Sequence, residues 1–425
     1  MSDLRPRRAL RMPPTIARHG RLRGSNPFAT VLKFLAGIVA VALVSAGSVS
    51  AIALLNVASE IKPGVSLVGE SDGPAPQLGA FDGGINLLLV GSDSGEGDAQ
   101  YGKRGENLND VTILLHVSAD HSNATVISFP RDMFVRIPAC PRLDGKGNYS
   151  SMSSQKINTT LTYGGLACTV LTVSELTGLD IPFAAKIEFN GVIQMADAIG
   201  GVPVCVATAI HDKYTGLNLE AGEHTLQGMK ALQFLRTRHG VGDGSDLGRI
   251  SNQQVFMSSM VRTMKSADTL ANPVKVFALA KAAAKSMELS NSLSNINTVA
   301  SIAFALKDVD PANVVFLQYP TASGMSGSQS GVLPITSVAR TLFSAIKADR
   351  PVELTGSTGI GSKLNPNGSP SPSATAEPST SPSASATAEA SASPSASAED
   401  EKVSLPESVS GQTAAQETCS KGQRG

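Results

Sequence analysis

Between residues 80 and 350 the apolar residues fall into short blocks whose period changes along the chain. Ile85–Val90 (INLLLV) is a continuous apolar run that stops at Gly91, the pattern of a buried strand. Val111–Val117 and Ala124–Phe129 repeat it, and the polar SADHSN between them predicts a hairpin. Helical spacing follows at 166–177, with Gly178 as its stop. Phe183–Phe189 reads as a strand, and Asn190 caps a helix through Ile199 that Gly200 and Gly201 end. Helical patterns return at 225–235, 246–266, 273–287 and 334–347, with a late strand at Asn313–Tyr319. Alternating strands and helices predict an α/β domain over 80–350, with a central mixed β-sheet and helices on both faces. The early hairpin argues against a purely parallel sheet.

The flanks of this domain read differently. Residues 1–33 carry seven arginines and Lys33 against one acid, Asp3. Phe34–Ser59 then runs 26 residues without a charge. About 20 apolar residues suffice to cross a bilayer, whereas the apolar core of a cleaved signal is only about 7–15 long. The pattern predicts a transmembrane helix at 34–59, a cytoplasmic basic segment at 1–33 and a linker at 60–79. The domain is then expected outside the plasma membrane of a single-pass protein. Residues 369–398 contain only Ser, Pro, Ala, Thr and Glu. Such a composition buries too little apolar surface to offset ordering entropy, and 351–425 is expected to be a disordered C-terminal tail.

Composition adds little; the formal net charge is zero, and no basic excess points to nucleic acid. Cysteine is more informative. Cys140, Cys168 and Cys205 lie within the domain, and Cys419 near the end. Outside the cell a disulfide is permitted, and Cys140–Cys168 is the expected pair. Cys205, in the strand-like GGVPVCV, reads as a buried thiol, and Cys419 has no assigned role. No Cys/His spacing suits zinc.

Two motif matches fail on inspection. Gly97–Lys103 reads G-x-x-x-x-G-K, but Arg104 stands where a P-loop needs a hydroxyl, and a strand follows instead of a helix. ATP is also scarce outside a membrane, so no ATP site is expected. Ser153–Lys156 reads S-x-x-K, yet the S-D-N and K-T-G segments that would complete an acyl-transfer site are missing.

A different constellation carries chemistry. Asp93 follows the first strand, Asp110 begins the second, and Arg131 and Asp132 follow the third. Strand ends are where ligands bind in open α/β sheets. Arg236 and Arg238 lie in FLRTR; residues two apart diverge on a helix, so the helix is expected to end near Gln233 and extended chain to aim both at one ligand. Arg249, Asn252 and Gln253 share a face of the next helix, where Asp246 at the start serves the helix dipole. Carboxylates with substrate phosphate hold magnesium, and arginine binds phosphate through two donors at once. These parts suit phosphoryl transfer.

The chain resembles LytR-CpsA-Psr proteins, the envelope glycopolymer ligases of Gram-positive bacteria. The matching stretches are NLLLVGSDS, NDVTILLHV, VISFPRDM, QKINTTLTYGG, FLRTRHG and SDLGRISNQQ, in family order over about residues 84–265. The cysteines and DGSDLGRI look most like actinobacterial members. The resemblance implies transfer of a sugar 1-phosphate-ended polymer from a polyprenyl-pyrophosphate carrier to a peptidoglycan hydroxyl. By residue match Asp93 and Asp110 would hold Mg2+ (or Mn2+), and Arg131, Arg236, Arg238 and Arg249 would grip the pyrophosphate. Gln253 would join the pocket, with Asp132, Lys156 and Asn158 shaping it. Two positions depart from the family. Its usual R-S-D-T is Leu108-Asn109-Asp110-Val111 here, and Asn252 replaces a usual arginine. Lys103 or Arg104, a few residues before Asp110, is a candidate to restore the lost charge. The alternatives are an envelope anion- or lipid-binding module without catalysis, and a pyrophosphatase acting on the same lipid.

Overall fold

The computed structural model describes residues 64–68, 70, 83–93, 107–265, 286–307, 309–366 and 402–423. The predicted membrane segment, the loop with Lys103 and Arg104, most of the predicted helix 273–287 and the Ser/Pro/Ala-rich run lie outside these residues. Among the described residues no helix is long and apolar enough to cross a membrane.

The strands of the two larger sheets are β1 (Ile85–Ser92), β2 (Asn109–Val117), β3 (Ala124–Phe129), β4 (Phe183–Ile187), β5 (Val202–Thr208), β6 (Gly222–Leu226), β7 (Met287–Leu289), β8 (Val314–Gln318), β9 (Ser362–Leu364), β10 (Gly411–Thr413) and β11 (Thr418–Lys421). The helices are α1 (Thr160–Thr177), α2 (Phe189–Ala198), α3 (Gly228–Arg236), α4 (Asp246–Lys265), α5 (Ile296–Lys307) and α6 (Thr336–Lys347). A central sheet runs β7-β4-β1-β2-β3-β8-β10. Its β1–β2 and β2–β3 pairs are antiparallel, while β4–β1 and β3–β8 are parallel. The sheet is therefore mixed, as the hairpin and the intervening helices predict.

Strand periodicity explains the two faces. Leu88, Val90 and Leu114 point to one side and pack with α1 and α6 through Val170, Leu342 and Phe343. Ile85, Ile113 and Val117 point to the other and pack with Ile302 and Ala305 of α5. Successive strand residues face opposite ways, so a strand buried on both faces reads as one apolar run. A second sheet, β6-β5-β11-β9, packs on α3 and α4 through Val204, Val206, Phe234 and Phe256.

The Cys140–Cys168 disulfide forms as expected, with Cα atoms 5.1 Å apart. It sits against a kink in α1 at Gly164 and Gly165. A Cβ on Gly164 would stand 2.7 Å from the Pro141 carbonyl oxygen and 2.9 Å from Cys168 Cβ. The YGG of the sequence motif is thus the clearance that lets the bridged loop cross the helix.

The C-terminal expectation is overturned. Both flanks of the low-complexity run are packed. β10 hydrogen-bonds to β8 at the edge of the central sheet, and Val352–Leu354 pairs in parallel with Val403–Leu405. Val352, Leu405 and Val409 enter the core that β1 and β2 share with α1 and α6. β11 pairs in parallel with β5, placing Cys419 opposite Cys205, and the two form a disulfide with Cα atoms 4.4 Å apart. Cys205 is not a buried thiol; among the described residues no cysteine is free. The loop before β9 also reaches α4. A Cβ on Gly361 would stand 2.2 Å from the Gly248 carbonyl oxygen.

A bridge across 214 residues removes much loop-closure entropy from the unfolded chain. Cys205→Ser with Cys419→Ser is expected to lower unfolding free energy by about 5 kcal/mol on the chain-entropy model. Denaturant titration without reductant measures this, and non-reducing peptide mapping checks both pairs.

Candidate active site at the strand ends

Polar residues interrupt the apolar strands where β1, β2 and β3 meet the surface. Asp93 follows β1 and is 3% exposed. Its amide donates to the Leu108 carbonyl at 3.1 Å, and its Oδ1 accepts from the Leu108 amide at 3.1 Å. The carboxylate thus extends the β1–β2 pairing beyond the last ladder bond. The register slips there: Gly91 faces Val111, but Ser92 faces Asn109. Asp110 is the extra residue, and such bulges re-aim side chains.

Asp110 is the centre of a charge network. Its Oδ1 accepts a hydrogen bond from Nη1 of Arg131, which follows β3. Arg249, one turn into α4, donates from Nη2 to the Asp110 carbonyl at 2.7 Å. Arg249 Nη1 lies 3.8 Å from Asp110 Oδ1, and Nη2 lies 2.6 Å from Asp246 Oδ1. Asp246 Oδ2 accepts from the Arg131 amide at 3.1 Å. Asp132 Oδ2 is 3.7 Å from Arg131 Nε, and Asp132 Oδ1 accepts from Lys156 Nζ at 3.0 Å. The Asn158 amide donates to the Arg131 carbonyl at 3.2 Å. Lys156 and Asn158 therefore hold Asp132 and the Arg131 backbone.

Burial works against the Arg131 guanidinium, but Asp110, Asp246 and Asp132 outweigh it and raise its pKa above the ordinary arginine value. Arg131 stays charged at any working pH. Formal charges in this network balance, three cations (Arg131, Arg249, Lys156) against three carboxylates (Asp110, Asp132, Asp246). Its hydrogen bonds do not balance. The Nε atoms of Arg131 and Arg249 are buried and have no hydrogen-bond acceptor among the described residues. Buried unsatisfied donors are rare, and a missing ligand is one physical explanation. An anion would supply acceptors for both.

The other two arginines are placed differently from the sequence expectation. α3 does not end near Gln233; it runs to Arg236, and Thr237 turns extended at φ −62° and ψ 131°. Arg236 lies over the Phe189 ring, 4.1 Å from its centroid. Arg238 donates from Nε to the Gly244 carbonyl at 3.2 Å. The turn is fixed by Asp212, whose Oδ2 accepts from the Thr237 hydroxyl at 2.6 Å and the Arg238 amide at 3.2 Å. Gln253 also differs from expectation. It donates to the Leu235 carbonyl at 2.9 Å, and Asn252 to the Phe234 carbonyl at 2.7 Å. Both amides satisfy carbonyls in the last turn of α3, groups a helix end leaves unpaired. They tie the end of α3 to α4.

Asp246, Asp212 and Phe189 are site residues that the sequence reading missed or undervalued. Asp246 and Arg249 stand at i and i+3 on a helix, a spacing that signals contact. Asp212 and Phe189 are distant in sequence from what they hold and carry no such signal. Among the described residues no three or more His, Cys, Asp or Glu side chains converge on a metal position.

Fold and site together define an α/β domain with an arginine–aspartate cluster at the ends of a mixed sheet. The LytR_cpsA_psr family model matches residues 64–342, and the chain belongs to that family. It is 32% identical over 271 residues to the cell wall biosynthesis protein LcpA of Corynebacterium glutamicum, covering 57% of this chain and 51% of the relative. It is 26% identical over 310 residues to TagT of Bacillus subtilis, named a polyisoprenyl-teichoic acid–peptidoglycan teichoic acid transferase, covering 68% and 89%. The chain thus spans about half the length of the Corynebacterium relatives, LcpA and LcpB, that it matches. In fold it is similar to a LytR-Csp2A-Psr enzyme from Actinomyces oris, with TM-score 0.50, 23% identity and coverage of 67% and 96%.

Asp212 offers a pH test of the α3 turn. Burial raises its pKa, but hydrogen bonds from Thr237, Tyr214, Arg238 and Thr215 win, and the net shift is downward from 3.8. A depressed carboxylate stabilises the fold above its unfolded pKa and loses that contribution as pH falls through the folded one. Urea denaturation should therefore show wild type losing stability below about pH 4. Asp212→Asn should be less stable at neutral pH and should lose less on acidification.

Proposed function

We propose that the protein is a membrane-anchored phosphotransferase of the cell envelope. It moves a glycopolymer, as its sugar 1-phosphate, from a polyprenyl-pyrophosphate carrier to a peptidoglycan hydroxyl. The observation that carries this reading is the pair of guanidiniums on Asp110, half-buried Arg131 and buried Arg249, each with a buried Nε donor that has no acceptor among the described residues. The family, and the teichoic acid transferase name of the relative TagT, support the substrate class. The proposed anchor is the apolar run at 34–59, with the domain outside the plasma membrane.

The bond changes are those of a phosphoryl exchange. The acceptor hydroxyl oxygen forms a bond to the sugar-bearing phosphorus. The bridging P–O–P bond breaks, and polyprenyl phosphate leaves with the electron pair. The hydroxyl proton passes to a carboxylate of the cluster or to water. The carrier already holds the energy, so no nucleotide is needed. Arg131 and Arg249 would exchange part of their contact with Asp110 for phosphate oxygens and neutralise charge as it shifts to the leaving group. Such donors, fixed before the reaction, need no reorganisation during it. Arg238, held by Asp212 and Gly244, and Arg236, held on Phe189, would meet the more distant phosphate oxygens.

Asp93 and Asp110, at adjoining ends of paired strands, would hold a divalent cation through their carboxylates, whose Oδ1 atoms here accept from the Leu108 amide and from Arg131. Magnesium is commonly held by one or two carboxylates together with substrate phosphates rather than by a full protein cage. When bound it would supply further charge neutralisation at the pyrophosphate.

Full-length protein in detergent is expected to release polyprenyl phosphate from a lipid-linked glycan and to lose this activity with chelator. Arg131→Lys keeps a positive charge opposite Asp110 but removes the two-donor fork. It should lower kcat by about 100-fold, near 2.7 kcal/mol, the scale for loss of one transition-state donor. Product analysis with a peptidoglycan acceptor distinguishes transfer from hydrolysis. Unchanged turnover in Arg131→Lys, or turnover indifferent to chelator, would contradict the assignment.

A further inference from the structure

The hairpin of Ile210–Asp212 and Leu217–Leu219 carries an aromatic surface that the phosphate chemistry leaves unused. Tyr214, at its tip, is 69% exposed. Its ring lies against that of His239, with centroids 4.6 Å apart and planes at 47°. Lys213 Nζ stands 5.2 Å from the centroid of the Tyr214 ring. A single exposed apolar side chain is ordinary. This one differs in how it is held. The buried Asp212 accepts from the Tyr214 amide through Oδ1 at 2.9 Å, and its Oδ2 accepts from Thr237 and from the Arg238 amide. Leu217 and Leu219 anchor the other arm of the hairpin in the core. One carboxylate therefore sets the backbone of Tyr214 against that of Arg238, and His239 is the next residue along.

We propose that Tyr214 and His239 form a stacking platform for a pyranose ring of the glycan handled at the neighbouring arginine site. The inference rests on the phosphotransferase reading above. A pyranose presents a flat C–H face, and an aromatic ring presents a face of negative potential that attracts it. Tyrosine offers this contact with few torsions to freeze. Lys213 brings three N–H donors to the ring, which suits sugar hydroxyls beside the stacked face. A hydrocarbon chain would call instead for a continuous apolar groove, whereas here Lys213 lies beside the ring and Arg238 precedes His239 in the chain. The same chemistry serves a sugar of the lipid-linked donor or one of the peptidoglycan acceptor.

The test uses full-length protein in detergent with Tyr214→Ala and Tyr214→Phe. The donors are polyprenyl pyrophosphate bearing one sugar or several, and the acceptor is soluble peptidoglycan glycan strands. Tyr214→Ala should raise KM at least fivefold for one glycan, with kcat within twofold of wild type. Tyr214→Phe, which keeps the ring, should match wild type. Hydrolysis of the single-sugar donor without acceptor should be unchanged. A KM rise confined to glycan strands places the platform on the acceptor side; one confined to the multi-sugar donor places it on the donor side. Unchanged KM for both overturns the proposal. Saturation-transfer NMR with the same strands gives a readout independent of turnover. If wild type binds them in a Tyr214-dependent way but transfers nothing, the platform stands and the phosphotransferase reading falls. If binding does not depend on Tyr214, the platform falls.

Discussion

The carboxylate of Asp110, gripped by Arg131 and near Arg249, joins three parts of the chain at one point. It draws together the bulged start of β2, the end of β3 and the first turn of α4. Removing one partner of this half-buried pair leaves a charge uncompensated, at a cost below that of a fully buried pair because both side chains keep some contact with water. The cluster therefore holds itself together without a ligand. Its guanidiniums are already gathered, and Asp246 fixes both the Arg249 side chain and the Arg131 backbone. A phosphate entering such a place finds donors whose desolvation and ordering were completed during folding. That is the physical content of a preorganised site.

α3 and α4 extend this arrangement by a different device. Asn252 and Gln253 reach from α4 to the terminal carbonyls of α3. Asn252 stands where the family wording usually has an arginine. The amide gives up a charge and gains a strut that couples the arginine-bearing end of α3 to the helix that carries Arg249. Asp212 then pins the turn that follows. The four arginines thus belong to one connected framework, although Arg236 and Arg238 have partners of their own.

Much of this was legible in the sequence, for local reasons. The strands of the central sheet are apolar on both faces, so they appear as runs, and the charges that stop them mark the strand ends. That pattern places Asp93, Asp110 and Arg131 at one edge without any structure. What escaped is non-local. Asp212 holds Thr237 and Arg238 from about 25 residues away, and no periodicity records such a contact. The end of α3 lies beyond the sequence expectation because the divergence of Arg236 and Arg238 does not require extended chain before Arg236. One turned residue, Thr237, is enough. The C-terminal flanks depart from the expectation because the composition of the Ser/Pro/Ala-rich run does not carry over to the paired strands on either side of it. Pairing Cys140 with Cys168 left Cys205 in want of a partner, and Cys419 was the remaining cysteine.

The packing on both sides of that run changes what it is. Residues 367–401 join two segments that are each fixed, one through β9 and the other through β10, β11 and a disulfide. In topology the run is an insertion within the domain rather than an appendage to it. The Ser/Pro/Ala-rich run thus lies inside the domain's own covalent boundary, between one paired strand and another that is both paired and disulfide-bridged.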